Sequence, residues 1–422
     1  MHRYDVAVAG GGIIGLTIAY ELRMKGFNVA ILDGNDSRMA SSYGNAGYVS
    51  PSLGSLSMNV REVEDTARYL ASKASTTSLN DSKGFMTIKS YTNAYTDRDR
   101  FNDPSIRMLI RTMALESKEW YARMSSDLGF VYKHSGLLEV YLTRDGLEHR
   151  LEHVKHLASI LNIPYKVLAM DEVHTLEPSI NDVCEGALFY PDDAFVNPRS
   201  VIRALRDTLT TLDAVFLDNL ESIEWDEAPV GSSNHNGRRI RSFKTISSSI
   251  YADTYIVCTG AYRVDGLYLP IAPARGYMLE LRSNDSTLLM LEHPLLCGEH
   301  RISISMHEGL RITAFFELCS IGSAIVEGNF DKLLELARKY IAMGDVAIVD
   351  RWVGYRPCTP DGLPIIGRIG DDGYDHYSNL IVAGGHCRLG ITLAPATARL
   401  VASLVEGNDV VPDALKPNRY GL

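Results

Sequence analysis

The residues best suited to chemistry sit in two glycine clusters at opposite ends of the chain. The first is Gly10-Gly11-Gly12-Ile13-Ile14-Gly15, a G-x-G-x-x-G run, with Asp33 following 18 positions after Gly15. In such a run Gly10 permits a tight turn, Gly12 lets backbone N–H groups approach a pyrophosphate, and Gly15 lets helix and strand pack closely. The N–H groups of the helix start, backed by the positive end of its dipole, bind phosphate charge. An acid about 20 residues further on holds a ribose hydroxyl. The chemistry implied is dinucleotide binding, with NAD and FAD both open. The second cluster is Gly384-Gly385-His386-Cys387-Arg388-Leu389-Gly390. One parallel sheet can recruit both termini, so a cofactor can be held from both ends.

The elements that must position these residues are readable around them. Val6–Ala9 is short, apolar and partly β-branched, as a buried parallel strand should be. Ile14, Ile18, Ala19 and Leu22 keep helix period, and Val29–Leu32 forms a second strand ending on Asp33. Ala40–Ser52 is a small-residue loop placed to reach back over the cofactor. The pattern predicts helices over Pro104–Leu128, about Leu147–Leu161, Val201–Leu212 led by Pro198, Lys332–Ala342 and about Leu393–Leu404. Strands are expected at Gly136–Leu142, Val215–Trp225, Ile240–Thr245, Ala252–Val257, Met278–Leu281, Ile302–Ser305, Leu310–Ala314 and Leu380–Ala383. Residues 71–84 are polar and read as a mobile surface loop, and Asn236-Gly237 as a turn.

Composition narrows the classes. At 422 residues the chain exceeds what one core comfortably fills, so two domains are expected. With 42 basic against 52 acidic side chains, a formal charge of −10, a nucleic-acid partner is not expected. No apolar run approaches the ~20 residues of a membrane span and no leader pattern opens the chain, which points to a cytoplasmic protein. Docking on the inner face of a membrane stays open. Six scattered cysteines without a C-x-x-C pair argue against a metal site and against a disulfide framework. Each is expected to be a small buried apolar residue.

Beyond these local readings, the chain resembles the D-amino-acid oxidase/dehydrogenase superfamily of FAD enzymes. The loop NAGYVSP (Asn45–Pro51), GLLEVYLT (Gly136–Thr143) and RPCTPDGLPIIG (Arg356–Gly367) are similar to the D-amino-acid dehydrogenase branch. The closing GGHCRLGITLAPATA (Gly384–Ala398) is more similar to glycine oxidase. The resemblance implies an α/β and α+β fold: a Rossmann-like FAD-binding domain (1–85, 165–264 and 350–422) with a discontinuous antiparallel-sheet substrate domain (86–164 and 265–349). It also implies FAD rather than NAD, with Asp33 at the adenosine ribose. Ser42, Asn45, Ala46 and Gly47 then lie along the ribityl chain and flavin, and Gly260 and Ala261 beside the pyrophosphate. Gly385, Leu389, Gly390, Ile391 and Thr392 face the flavin N1–C2=O edge, where helix-start N–H groups stabilise the charge of reduced flavin.

The resemblance points to Arg356 and Arg388 as the substrate side chains, because a guanidinium meets a carboxylate through two parallel N–H···O bonds. Tyr277 and His300 are further candidates, Tyr48 and Trp352 possible pocket walls. Sarcosine oxidases attach FAD through a Cys seven positions before the motif aspartate; here that position is Gly354, so FAD is expected to be non-covalent. The expected reaction is oxidation of a small amino acid, of D-amino-acid or proline/hydroxyproline type, by hydride transfer to flavin N5. Electrons would pass to a quinone or dye. The alternatives are a glycine/sarcosine-type oxidase using O2 and an FAD-binding subunit of an electron-transfer complex. A homo-oligomer is among the expected partners.

Overall fold

The computed structural model describes residues 3–34, 37–56, 103–226, 239–283, 291–369 and 379–422. The polar stretch at 71–84 and the Asn236-Gly237 turn lie outside the described residues.

Val6–Ala9 is wholly buried, and the reason is its place in the sheet. The Arg3–Ala9 strand pairs in parallel with Val29–Leu32 on one side and Ser249–Val257 on the other. Ser249–Val257 pairs in turn with Leu380–Gly384, again in parallel. Strands buried on both faces need no polar alternation, which is why Val6–Ala9, Val29–Leu32, Tyr255–Val257 and Leu380–Gly384 read as nearly continuous apolar runs. Parallel strands end at one edge. The turns after Ala9, Val257 and Gly384 therefore emerge together there, where open α/β sheets bind their ligands.

The Ile13–Met24 helix packs against the C-terminal helix Gly390–Val405, and both bury small and branched side chains against the sheet. The long Pro104–Leu128 helix, capped by the Asp103 side chain accepting from Ser105 N at 2.8 Å, covers the same layer. It also solves a local problem. Pro395 lies inside the C-terminal helix and cannot donate to the Ile391 carbonyl one turn back. The hydroxyl of fully buried Tyr121 donates to that carbonyl instead, at 2.9 Å. Tyr121→Phe should leave a buried acceptor unpaired and cost about 1–3 kcal/mol. The check is a lower urea midpoint at unchanged slope; an unaltered midpoint would show that water replaces the hydroxyl.

A second sheet runs in the order Val346–Cys358, Ala272–Ser283, Leu310–Leu318, Ile302–Met306, Leu295–Cys297, Leu137–Tyr141, Gly186–Tyr190, Lys166–Leu168. Its pairings are antiparallel except that between Leu295–Cys297 and Leu137–Tyr141. Two expectations need correction here. Lys166–Leu168 and Gly186–Tyr190 belong to this sheet, although a boundary at 165 assigns them to the first, because Leu137–Tyr141 pairs directly with Gly186–Tyr190. Val346–Cys358 likewise crosses the boundary at 350 as one unbroken strand.

Other elements differ more locally. Val215–Trp225 is two strands, Val215–Leu217 and Ser222–Trp225, pairing with different partners. The break falls at Asn219, whose side chain accepts a hydrogen bond from Gly34 N. The helix expected at Lys332–Ala342 spans Gly328–Ala337. Among the described residues no helix is long and apolar enough to cross a membrane.

Candidate active site

A cavity of ≈ 780 Å³ runs from the sheet edge at Gly10 and Asp33 to the second sheet at Tyr277 and Arg356. Gly10 turns at φ +113°, and a Cβ on Gly15 would stand 1.8 Å from the Gly10 carbonyl oxygen. These two glycines make the strand–helix junction. Gly12, Gly260 and Gly390 behave differently: no protein atom lies within 3.4 Å of where their Cβ would be. Three backbones from three distant segments thus border open space in one cavity. Ile13 N and Ser42 Oγ are 3.4 Å apart, tying the helix start to the loop after Asp33. Asp33 itself is ion-paired with Arg206, whose guanidinium lies over the Phe216 ring.

The loop at Asn45–Gly47 is held from beneath by the second sheet. Buried Arg311 donates to Asn45 O at 3.0 Å and Ser305 Oγ to Ala46 O at 2.8 Å. Glu280 lies between Arg199 at 2.7 Å and Arg311 at 3.3 Å. Burial and the neighbouring Arg199 push Arg311 down to about 10, so it stays charged at neutral pH. Sequence reasoning missed this group, because its members lie more than 150 residues from the loop they hold. From the other side, Thr392 Oγ1 donates to Tyr48 O at 3.0 Å, joining the N-terminal loop to the C-terminal helix.

Of the residues singled out from sequence, Gly10, Gly12, Ile13, Ile14, Asp33, Ser42, Asn45, Ala46, Gly260, Ala261, Leu389, Gly390, Ile391 and Thr392 line the cavity. Gly15, Gly47 and Gly385 do not. A Cβ at Gly47 (φ +85°) would meet Val196 O at 2.0 Å, and one at Gly385 (φ +75°) would meet Thr359 Cγ2 at 2.4 Å. Close packing against Gly10 O, Val196 O and the Thr359 methyl, with positive φ at Gly47 and Gly385, accounts for glycine at the three positions.

Arg356, Arg388, Tyr277 and His300 line the far part of the cavity. Arg356 Nη1 donates to Phe315 O at 2.9 Å, and the Arg388 guanidinium lies 5.6 Å from the Phe316 ring centre. The two arginines, 32 residues apart in sequence, therefore meet at one dipeptide. Phe315 adopts φ +68°, a conformation rare for a bulky residue, and this turns its carbonyl toward Arg356. The guanidinium also lies over Gly276, where a Cβ would stand 2.3 Å from Arg356 Nη1. Gly276 is a second residue that sequence reasoning missed.

Tyr277 is 1% exposed, and its hydroxyl donates to Glu317 Oε2 at 3.2 Å. His300 Nδ1 is 2.7 Å from the Tyr340 hydroxyl, which donates to Glu299 Oε2 at 2.9 Å. With the tyrosine proton committed to Glu299, His300 Nδ1 must donate, leaving Nε2 as the acceptor nitrogen. Burial, with Lys339 nearby, lowers the His300 pKa and favours the neutral ring. Tyr48 donates to Leu295 O, and Trp352 donates to Arg38 O at 2.7 Å while its ring fills the space over Gly44 and Gly354. Both are walls.

One expectation fails. Cys358 and Cys387 form a disulfide, with Cα atoms 4.4 Å apart. Their separation of 29 residues gave no local signal. The pairing arises because Cys387 N donates to Pro357 O at 2.8 Å, bringing the C-terminal turn against the strand end. Cys184, Cys258 and Cys297 are buried thiols as expected, and Cys319 is partly exposed.

Against known families, the model for FAD dependent oxidoreductases (DAO) matches residues 5–404. The chain belongs to that family and is an FAD-dependent oxidoreductase. It is 28% identical over 417 residues to a D-amino acid dehydrogenase of Helicobacter pylori (strain ATCC 700392 / 26695), covering 95% of this chain and 94% of the relative. Among solved structures it is similar to glycine oxidase from Geobacillus kaustophilus (TM-score 0.71, 23% identity, 98% of this chain and 97% of that one). It is also similar to L-proline dehydrogenase from P. horikoshii (TM-score 0.70, 18% identity, 99% and 98%). The open backbones at Gly12, Gly260 and Gly390 suit the cofactor of this family, which requires close backbone approach at its pyrophosphate and at its flavin.

Proposed function

We propose that this protein oxidises a small amino acid, of D-amino-acid or proline/hydroxyproline type, to the imino acid. Electrons then pass to a quinone or dye acceptor. The observation that carries this reading is the convergence of Arg356 and Arg388 at Phe315–Phe316, in the cavity that begins at the dinucleotide fingerprint. Two guanidiniums in one apolar-walled site match a carboxylate. Gly12, Asp33, Ala46, Gly260 and Gly390 would hold FAD without a covalent bond, and FAD bound there would supply the two-electron acceptor.

The chain's own residues do the remaining work. Arg356 and Arg388 fix the carboxylate and so the direction of the Cα–H bond. His300, neutral and with Nε2 as acceptor, takes the ammonium proton, since only the neutral amine has the lone pair that the oxidation needs. The Tyr340–Glu299 pair keeps that tautomer. N–H groups at the start of the Gly390–Val405 helix border the cavity and would favour negative charge on a cofactor edge placed there. Burial pushes His386 down to about 3, so its ring is neutral and the helix start acts without a cationic imidazole beside it.

The test is anaerobic mixing of purified yellow protein with single D- and L-amino acids, proline, hydroxyproline, glycine and sarcosine. Bleaching of flavin absorbance by a D-amino acid or a cyclic imino acid is expected, with faster reoxidation by a quinone analogue than by O2. Acid precipitation should release the flavin. If no amino acid bleaches the flavin, the reading is wrong.

A further inference from the structure

The Cys358–Cys387 disulfide joins the two segments that carry the substrate arginines. Cys358 lies two residues after Arg356 at the end of the Val346–Cys358 strand, and Cys387 immediately precedes Arg388. The same junction holds a Cys358–His386 bridge and the bond from Cys387 N to Pro357 O. Cys387 adopts φ +47°, a left-handed conformation that costs a non-glycine residue free energy and persists only where its surroundings enforce it. Both cysteines line the cavity; Cys358 is 2% exposed, whereas Cys387 is partly exposed.

We propose that this disulfide is a positioning element of the substrate site. Oxidised, it holds Cys387 in its left-handed turn and so fixes Arg388 relative to Arg356. Reduced by a dithiol, it releases the turn and the site loses its grip on carboxylate. The inference rests on the reading of Arg356 and Arg388 as a carboxylate site.

The chemistry balances as ordinary thiol–disulfide exchange. A thiolate of the dithiol attacks Cys387 Sγ, the sulfur of the more exposed cysteine. The Cys358–Cys387 bond breaks, and Cys358 leaves as a thiolate that takes a proton from water. The second thiol of the reductant then displaces Cys387, so two electrons pass to the protein and the reductant becomes a disulfide. A ligand in the cavity shields Cys387, so a bound carboxylate should slow the reduction.

The experiment uses FAD-loaded full-length protein equilibrated with reduced or oxidised dithiothreitol. Benzoate serves as a redox-inert carboxylate probe, followed through the flavin difference spectrum. Maleimide mass labelling counts thiols in parallel. On gaining two thiols per chain, the protein should retain FAD but bind benzoate about tenfold more weakly, since small displacements in a positioned site have effects of at least this order. KM for the amino-acid substrate should rise in step, with a smaller change in kcat, and reoxidation should restore both. The double variant Cys358→Ser/Cys387→Ser should sit at the reduced values and ignore dithiothreitol.

A gain of two thiols with benzoate affinity unchanged would make the disulfide a structural staple only and overturn the proposal. Six labelled thiols in the oxidised, unfolded protein would overturn it as well. Arg356→Ala separates the two readings. If it leaves benzoate affinity unchanged, the carboxylate site falls and this inference with it; if it weakens benzoate while reduction does not, this inference alone falls.

Discussion

Replacing Arg356 with alanine is expected to raise KM for an amino-acid substrate about 100-fold or more, with FAD still bound. Truncating one partner of a buried, hydrogen-bonded charge pair costs about 2–5 kcal/mol, much of it from the charge left unpaired. Here that charge is the substrate carboxylate, facing a cavity wall made partly of Phe315 and Phe316. The effect should fall mainly on KM with FAD retained, because the Gly10–Gly12 turn and Asp33, which grip the dinucleotide, lie at the other end of the cavity. Gly276→Ala should reproduce part of it. A Cβ there would overlap the guanidinium, and a flexible side-chain end moves where a backbone does not. Steady-state kinetics of both variants provide the check, and an unchanged KM in Arg356→Ala would remove that residue from the site.

The largest stability effect is expected at Asp361, five positions after Arg356. Asp361 and Arg419 are each 3% exposed at the side chain and ion-paired, Arg419 Nε donating to Oδ2 at 2.7 Å and Nη2 to Oδ1 at 3.3 Å. Arg419 also donates to Leu363 O at 2.9 Å and Pro364 O at 3.1 Å, tying the C-terminal segment to the turn that follows the arginine strand. Asp361→Asn strands a buried guanidinium and should cost about 3–5 kcal/mol.

The pH dependence follows from the same pair. Burial opposes ionisation of Asp361, and Arg419 more than offsets it, so the carboxyl stays below its usual range. A depressed carboxyl pKa gives stability that is present above the unfolded carboxylate range and is lost as pH falls through the folded value. The wild-type protein should therefore lose part of its denaturant midpoint in acid, while Asp361→Asn, already low at neutral pH, should lose less. Equal acid slopes in the two proteins would assign the acid loss to other groups.

How far the sequence alone carries can be seen residue by residue. Strand, glycine turn, helix and acid at Val6–Asp33 depend on contacts within some thirty residues, and the Val29–Leu32 and Pro104–Leu128 elements fall at their expected bounds. Local period and turn chemistry are sufficient there. The domain division at residue 165 misplaces two strands, because strand pairing across 50 residues leaves no mark in either segment.

What the sequence by itself determined is the class of cofactor cradle and the residue types beside it. Both follow from local backbone demands: a glycine where φ is positive, an apolar run where both faces are buried. The tertiary structure alone decided that Arg356 and Arg388 meet at Phe315–Phe316, that Arg311 and Glu280 support the Asn45–Gly47 loop, and that Cys358 pairs with Cys387. Those contacts are set by the register between the second sheet and the C-terminal turn. Register is a property of many weak pairings at once, and no single segment encodes it.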